Sequence, residues 1–297
     1  MSLDQVLSLL VSALLLGGLY AVMSFGLGLI YGVLRIINLA HAGVLMFGAY
    51  TAFSLITTIP ALKAFPFAVV VVVAPLFFLL GVILQRTMVR RVQSAPPIAS
   101  LLLLFGVWLI LQNFAYLIWS GDTRSIFTDY TLATIRIGGL PMSINRLVVF
   151  GWGALILVGL HWFLTRTYLG RAIRAISQDR DACLLVGINA ERVSAIAFGL
   201  GISLAGVAGS LMALIFAFDP DFGRSHMLKA FVIIVLGSLE SVIGVALGAL
   251  ILALTEQLSV LWIPPALQDF VSYLLLVVVL IALPGGLLTL LPRLRRA

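Results

Sequence analysis

Long runs of apolar residues without a charged side chain decide what this chain can fold into. They cover residues 6–34, 36–62, 64–85, 92–121, 147–165 and 193–218, and a further apolar region extends from 230 to 292. A helix needs about 20 apolar residues to cross the hydrocarbon core of a bilayer, which is about 30 Å thick. The runs are too continuous for the alternating strands of a membrane barrel. The sequence therefore predicts an all-α, polytopic transmembrane helical bundle of about eight membrane helices.

Composition excludes a soluble domain and assigns the charges to the two membrane faces. Hydrophobic residues make up 62% of the chain and charged residues only 10%, whereas soluble domains carry about 25% charged residues. The net charge of +7 is interpreted as a marker of the cytoplasmic side, not as a nucleic-acid surface. Basic residues follow the third run, separate the fifth from the sixth, and end the chain. Placing them in the cytoplasm predicts an external N-terminus and a cytoplasmic C-terminus.

The apolar region after residue 230 does not divide into whole spans. Residues 230–260 would make roughly 46 Å of helix, which is too long for one span and too short for two. We predict a half-helix near 230–238, a break around 237–241, a helix from about 242 to 258, and a final span over 267–283. Broken helices at membrane depth line the binding sites of transporters. The alternative is one long tilted helix with an external C-terminal tail.

Two short segments contain the candidate residues of a translocation pathway. Asn38 and His41 follow Arg35 at three-residue intervals, which predicts one helix face with Arg35 at the cytoplasmic surface. Interhelical hydrogen bonding is an equal alternative for Asn38 and His41. The predicted break adds Gly237, Ser238, Glu240 and Ser241. Glu240 could equally cap a helix end or form a hydrogen bond between subunits.

The segment over residues 166–192 is predicted to lie in the cytoplasm and to dock a partner. Its Arg171–Ser177 stretch has helical character, and Asp179 can cap a second short helix that Gly187 ends. Small residues on the exposed face favour close contact with a protein over burial in lipid. Docking of this kind would connect the membrane bundle to another subunit.

Motifs for enzymatic chemistry are absent from the sequence. Neither lysine, Lys63 nor Lys229, follows a glycine, so the chain has no P-loop. The three histidines are scattered and the single cysteine, Cys183, excludes a multi-cysteine metal site. We therefore expect a transport subunit that is not an enzyme and that binds no cofactor or metal of its own.

Three sequence blocks identify a family. They are residues 18–43, which contain Arg35-Ile-Ile-Asn-Leu-Ala-His41; residues 171–189; and residues 230–248. The chain resembles the permease subunits of bacterial branched-chain amino-acid ABC importers over essentially its whole length. It departs from the usual pattern at Ser238, Ile243 and Leu283.

The resemblance implies one transmembrane permease domain over residues 1–297 in the bacterial inner membrane. It implies a second, homologous permease, two cytoplasmic ATPase subunits that bind ATP and Mg²⁺, and an extracytoplasmic substrate-binding protein. It also assigns coupling to the ATPases to Arg171, Arg174, Ala175, Asp179, Ala182, Leu185, Gly187, Ile188 and Asn189. No nucleic-acid partner is expected.

The implied substrates are leucine, isoleucine and valine. Related permeases carry urea, short amides or other amino acids, and these stay open as alternatives. An ion-coupled secondary transporter is a further alternative, for which Glu240 alone is weak support. A scaffold subunit without a pathway is the remaining possibility.

Overall fold

The computed structural model describes residues 3–93, 95–137, 140–237, 242–264 and 267–282 of the chain. Nine helices of 15 or more residues form a bundle within these ranges: α1 (Leu3–Leu34), α2 (Ala40–Thr58), α4 (Val69–Leu84), α6 (Pro97–Trp119), α7 (Ile144–Arg166), α10 (Ala190–Ala213), α11 (Phe222–Gly237), α12 (Val242–Ser259) and α13 (Gln268–Ala282). The prediction of an all-α helical bundle is confirmed.

Shorter elements connect the long helices. They are α3 (Pro60–Ala64), a 3₁₀ turn (Pro66–Ala68), a π-helical turn (Gln85–Val89), α5 (Arg90–Val92), α8 (Tyr168–Gln178), α9 (Arg180–Leu185), β1 (Thr134–Ile137) and β2 (Leu140–Ser143). The two strands pair antiparallel, with Thr134 opposite Ser143, and form a small hairpin between α6 and α7.

Seven helices in the described part of the chain are long and apolar enough to cross a bilayer. They span Gln5–Leu34, Ala40–Thr58, Pro66–Val92, Pro97–Trp119, Ile144–Arg166, Ala190–Ala213 and Val242–Ser259. The first six of these spans overlap the six apolar runs of the sequence, with ends that differ by at most seven residues. Together with α11 and α13, the seven spans make the chain a multi-pass membrane protein.

Helix α10 lies at the centre of the bundle. In its most apolar window 83% of the residues are buried, compared with 17% in α6 at the periphery. It packs against α1, α2 and α4. A β-carbon at Gly209 would overlap the backbone carbonyl of Leu45, and one at Gly48 would overlap that of Gly206. Glycine is therefore required where α2 crosses α10, because the two backbones touch.

Helix α2 begins inside the bundle, which corrects the prediction of a continuous span over 36–62. Helix α1 ends at Leu34, and residues 35–39 are not helical. Gly43, near the start of α2, packs against Trp108 and Leu111, which lie halfway along α6. Farther along α2, at its middle, Tyr50 stacks on Trp119, the last residue of α6, with 4.7 Å between the ring centroids. Helix α2 therefore starts beside the middle of α6 and reaches the end of α6 halfway along its own length.

Two helices, not one long tilted helix, occupy residues 222–259. Helix α11 ends at Gly237 and α12 begins at Val242, as the predicted break requires. Gly237 packs against Gly244, and Gly248 packs against Ile233, so the two helices run antiparallel in direct contact. Helix α11 starts earlier than the predicted residue 230, because Phe222 and His226 pack together in its first turns, with 4.3 Å between ring centroids.

The loops gather at two polar ends of the bundle in the grouping that the sequence predicts. At one end the Arg90 guanidinium pairs with the Glu191 carboxylate at 2.9 Å, beside α8 and α9. At the opposite end the backbones of Arg124 and Phe218 exchange two hydrogen bonds. The Asp221 carboxylate there accepts hydrogen bonds from Gln112, at 2.7 Å, and from Tyr116, at 3.0 Å.

Candidate translocation and coupling sites

The candidate coupling segment forms two short helices, α8 and α9, at one polar end of the bundle. The Thr167 side chain caps α8 by accepting a hydrogen bond from the Gly170 amide at 3.0 Å. The Asp179 carboxylate caps α9 by accepting one from the Ala182 amide at 2.9 Å. Gly187 follows α9 with φ +80°, a left-handed conformation that suits glycine. The predicted cap and the predicted glycine stop are both present.

One face of this segment packs on the bundle and the other is exposed. Ala172, Ile173 and Ile176 are buried, and Cys183 anchors α9 in the same way. The exposed predicted coupling residues are Arg171, Arg174, Asp179, Ala182, Leu185, Gly187 and Asn189, while Ala175 and Ile188 are half-buried. The Asn189 side chain caps α10 through the Arg192 amide at 2.9 Å.

An apolar tip projects from the end of α9. Leu185 is 90% exposed, and its neighbours Leu184 and Val186 are exposed as well. Exposed apolar side chains flanked by charged residues are typical of a protein–protein contact. We name Leu184–Val186 the apolar tip.

Asn38 and His41 lie at the start of α2, inside the bundle. Both are fully buried, but the predicted single helix face is wrong, since Arg35 and Asn38 belong to the non-helical segment before α2. The His41 Nε2 atom lies 3.1 Å from the Met23 carbonyl oxygen. The two polar atoms of the Asn38 amide, in contrast, have no hydrogen-bond partner within the described ranges. A buried amide without a partner is costly in a packed interior.

Of the residues predicted at the second break, the structure describes Gly237 alone. It ends α11 and lies against the Gly244 carbonyl, where a β-carbon would not fit. Ser238, Glu240 and Ser241 lie outside the described residues. The structure therefore places the end of α11 and the start of α12 without describing these three side chains.

A buried charged cluster joins α1, α11, α12 and α13, and sequence reasoning missed it. The Lys229 ammonium lies 3.0 Å from both the Glu256 and the Asp269 carboxylates. Tyr20 donates a hydrogen bond to Glu256 at 2.8 Å, and Ser272 donates another. Lys229 and Glu256 are only 7% and 2% exposed.

A signal for this cluster was present in the sequence. Lys229 and Glu256 both border long apolar stretches, and ionisable residues inside a bundle are expected to pair with each other. Elsewhere, in the part of the chain that the structure describes, no three His, Cys, Asp or Glu side chains are grouped so that they could hold a metal ion.

These features define a polytopic helical transport subunit: a packed bundle, a helix that starts at mid-depth, and a helix pair that projects from one polar end. Residues 9–280 match the family described as the permease component of branched-chain amino acid transport systems. The chain belongs to this family, as the three sequence blocks indicate.

Curated relatives support the same assignment. The chain is 30% identical to BraD, the high-affinity branched-chain amino acid transport permease of Pseudomonas aeruginosa, over 94% of both chains. It is also 30% identical to LivH, the corresponding permease of Escherichia coli, over 92% of both chains. A further relative is LsrC, the autoinducer 2 import permease of Escherichia coli, at 32% identity over 63% of both chains. No solved structure matches at a significant level.

Proposed function

We propose that this chain is a permease subunit of an ATP-binding-cassette importer that brings leucine, isoleucine and valine across the bacterial inner membrane. The observation that carries the proposal is the capped helix pair α8–α9, whose apolar tip is exposed at one end of the bundle. A chain without a P-loop needs a separate source of energy, and an exposed apolar tip suits the docking of an ATPase. Family membership and the names of BraD and LivH support the substrate class.

The proposed assembly contains a second homologous permease, two cytoplasmic ATPase subunits and an extracytoplasmic binding protein. ATP and Mg²⁺ belong to the ATPases, and this chain supplies no ligand for them. The end of the bundle that carries α8 and α9 faces the cytoplasm in this proposal, in keeping with its arginines. The N-terminus is then external and the C-terminus cytoplasmic.

Movement of the coupling segment, residues 166–192, is proposed to switch the bundle between two arrangements. The proposed pathway includes Asn38 and His41 at the start of α2, and Gly237 with Ser238, Glu240 and Ser241 between α11 and α12. Residues 35–39 are not helical, and non-helical backbone at membrane depth can offer polar groups to a substrate. The unpartnered Asn38 amide supports this assignment, because a passing ammonium or carboxylate would provide its missing hydrogen bond.

A second substrate class has support from the relative LsrC, whose name describes import of autoinducer 2. Its similarity covers 63% of each chain, compared with 94% for BraD. Branched-chain amino acids are therefore the preferred proposal. Autoinducer 2, urea and short amides are the competitors to be added in the transport assay.

The test is ATP-driven uptake by the assembled complex after purification from its native membrane. We expect two P-loop ATPases to co-purify and radiolabelled leucine to enter proteoliposomes only with ATP and loaded binding protein. Leu185→Asp should abolish ATPase co-purification, since it places a charge in the proposed contact. Leu132→Asp is the matched control, because Leu132 is also 90% exposed but lies in the α6–α7 loop.

Two results would refute the proposal. If Leu185→Asp co-purified with as much ATPase as Leu132→Asp, the apolar tip would not be the docking contact. Leucine uptake that follows an imposed ion gradient and ignores ATP would identify a secondary transporter instead.

A further inference from the structure

The segment over residues 35–39 begins with an unusual backbone conformation. Arg35 has φ +56°, in the left-handed region that side chains other than glycine seldom adopt. Such a conformation persists only where the surrounding structure imposes it, and it is common at switch regions. The contacts of Arg35 therefore show which part of the structure could hold this conformation.

The Arg35 side chain connects this segment to the coupling helix. Its Nη2 atom donates a hydrogen bond to the Ser177 carbonyl oxygen at 2.7 Å. Ser177 lies in the last turn of α8, where carbonyl groups lack partners within the helix and carry a partial negative charge. Arginine, lysine and histidine side chains can hydrogen-bond such carbonyl groups and interact favourably with the helix dipole. Arg35 is thus joined to α8 through its side chain and to α1 through its own amide, which bonds to the Tyr31 carbonyl at 2.8 Å.

The same segment leads directly to the pathway candidates. Asn38 is three residues from Arg35, a distance of roughly 10 Å in extended chain. Its carbonyl accepts a hydrogen bond from the His41 amide at 3.2 Å, which fixes Asn38 to the first turn of α2. A displacement of Arg35 therefore reaches Asn38 and His41 through a short length of covalent chain without an intervening helix.

The Arg35–Ser177 contact borders an open pocket. A cavity of about 500 Å³ lies between the end of α1, α5 and the end of α8, and Leu34, Arg35, Arg90, Ile176, Ser177 and Arg180 are among its lining residues. Arg35 and Ser177 both line this pocket, so their hydrogen bond joins α8 to the segment over residues 35–39 at its edge.

We infer that Arg35 is a positioning residue that transmits movement of the coupling helix α8 to the non-helical segment 35–39, and so to Asn38 and His41. This inference rests on the proposed function, because it assumes that α8 is moved by an ATPase. It adds the route by which that movement reaches the interior of the bundle. Arg35 itself does not touch the substrate.

The experiment compares Arg35→Gly with the parent importer in proteoliposomes, with uptake and ATP hydrolysis measured in the same vesicles. Glycine accepts the left-handed conformation but removes the hydrogen bond to Ser177. We expect leucine uptake per ATP hydrolysed to fall by roughly three- to tenfold, the value of one hydrogen bond, while the rate of ATP hydrolysis stays at that of the parent. Arg35→Lys keeps one donor and should restore most of the ratio.

Arg90→Ala is the matched control. Arg90 lines the same cavity and has the same charge, but its exposed ion pair with Glu191 does not involve α8. Its ratio of uptake to ATP hydrolysis should equal that of the parent.

Three results would overturn the inference. They are an unchanged ratio in Arg35→Gly, a parallel loss of uptake and ATP hydrolysis in the assembled complex, and a lysine variant as poor as the glycine variant. Absence of ATP-driven uptake in the parent would refute the proposed function instead, before any variant is compared.

Discussion

Replacement of Lys229 by methionine tests whether the buried charged cluster holds α1, α11, α12 and α13 together. Methionine keeps the length and the apolar stem of lysine but removes the ammonium. Glu256, whose side chain is 3% exposed, then loses its ion-pair partner at 3.0 Å. Breaking a buried ion pair by removal of one partner costs about 3–5 kcal/mol, because the other charge stays buried.

The structure favours the lower end of this range. Tyr20 and Ser272 still donate hydrogen bonds to Glu256 in the variant, and they compensate part of its lost pairing. The side chain of Asp269 is 48% exposed, so water screens its charge and its share is at most about 1 kcal/mol. We therefore expect Lys229→Met to lower the free energy of unfolding by about 3 kcal/mol.

The assay is thermal unfolding of the purified chain in detergent, followed by the helical circular dichroism signal. Lys63→Met is the matched control, because Lys63 is the other lysine of the chain and is exposed. It should leave the midpoint within a degree or two of the parent, as expected for surface substitutions. The Lys229→Met and Glu256→Gln double variant should recover most of the loss, since neither charge is then left alone.

The reasoning would be refuted if Lys229→Met unfolded at the same temperature as Lys63→Met. It would also be refuted if the double variant were as unstable as the sum of the two single variants. In the latter case, the two side chains contribute independently and do not form a pair.

Two further predictions concern the helix crossing and the buried amide. Gly209→Ala should destabilise the bundle by about 1–3 kcal/mol, because its β-carbon would overlap the Leu45 carbonyl. The control Gly106→Ala, at a glycine that faces open space, should unfold at the parent temperature or above. Equal unfolding midpoints for the two variants would contradict the close crossing of α2 and α10. Asn38→Leu should leave the unfolding temperature unchanged or raise it, since it removes a buried amide without a partner. The same variant should reduce leucine uptake in proteoliposomes by about tenfold or more, the value of one lost hydrogen bond to the substrate. Full uptake would show that Asn38 is not part of the pathway.

The coupling segment illustrates what local sequence can predict. The cap of α9 joins Asp179 to the Ala182 amide, three residues away, and the stop at Gly187 depends on the φ of that residue alone. Interactions of this range are visible in a short stretch of sequence. The role of the segment in coupling stays a prediction.

The start of α2 illustrates what hydropathy cannot predict. The run over 36–62 has no acidic residue, lysine or arginine, so hydropathy does not indicate that residues 35–39 leave the helix. At the break, Arg35 has a backbone φ of +56° and donates a hydrogen bond to Ser177, 142 residues later in the chain. A contact over such a separation cannot be predicted from the residues that are adjacent in the sequence.

The sequence by itself determined the class of fold, the positions of most spans and the grouping of loops at two ends, and it favoured two helices over one within residues 230–258. These follow from the cost of placing charges and unpaired backbone groups in lipid, which acts on each segment separately. Only the tertiary structure decided that α10 is the central helix, that α2 starts at mid-depth and that Lys229 meets Glu256. Tyr20 and Glu256 are 236 residues apart, and which side chains meet over such separations depends on how whole helices pack.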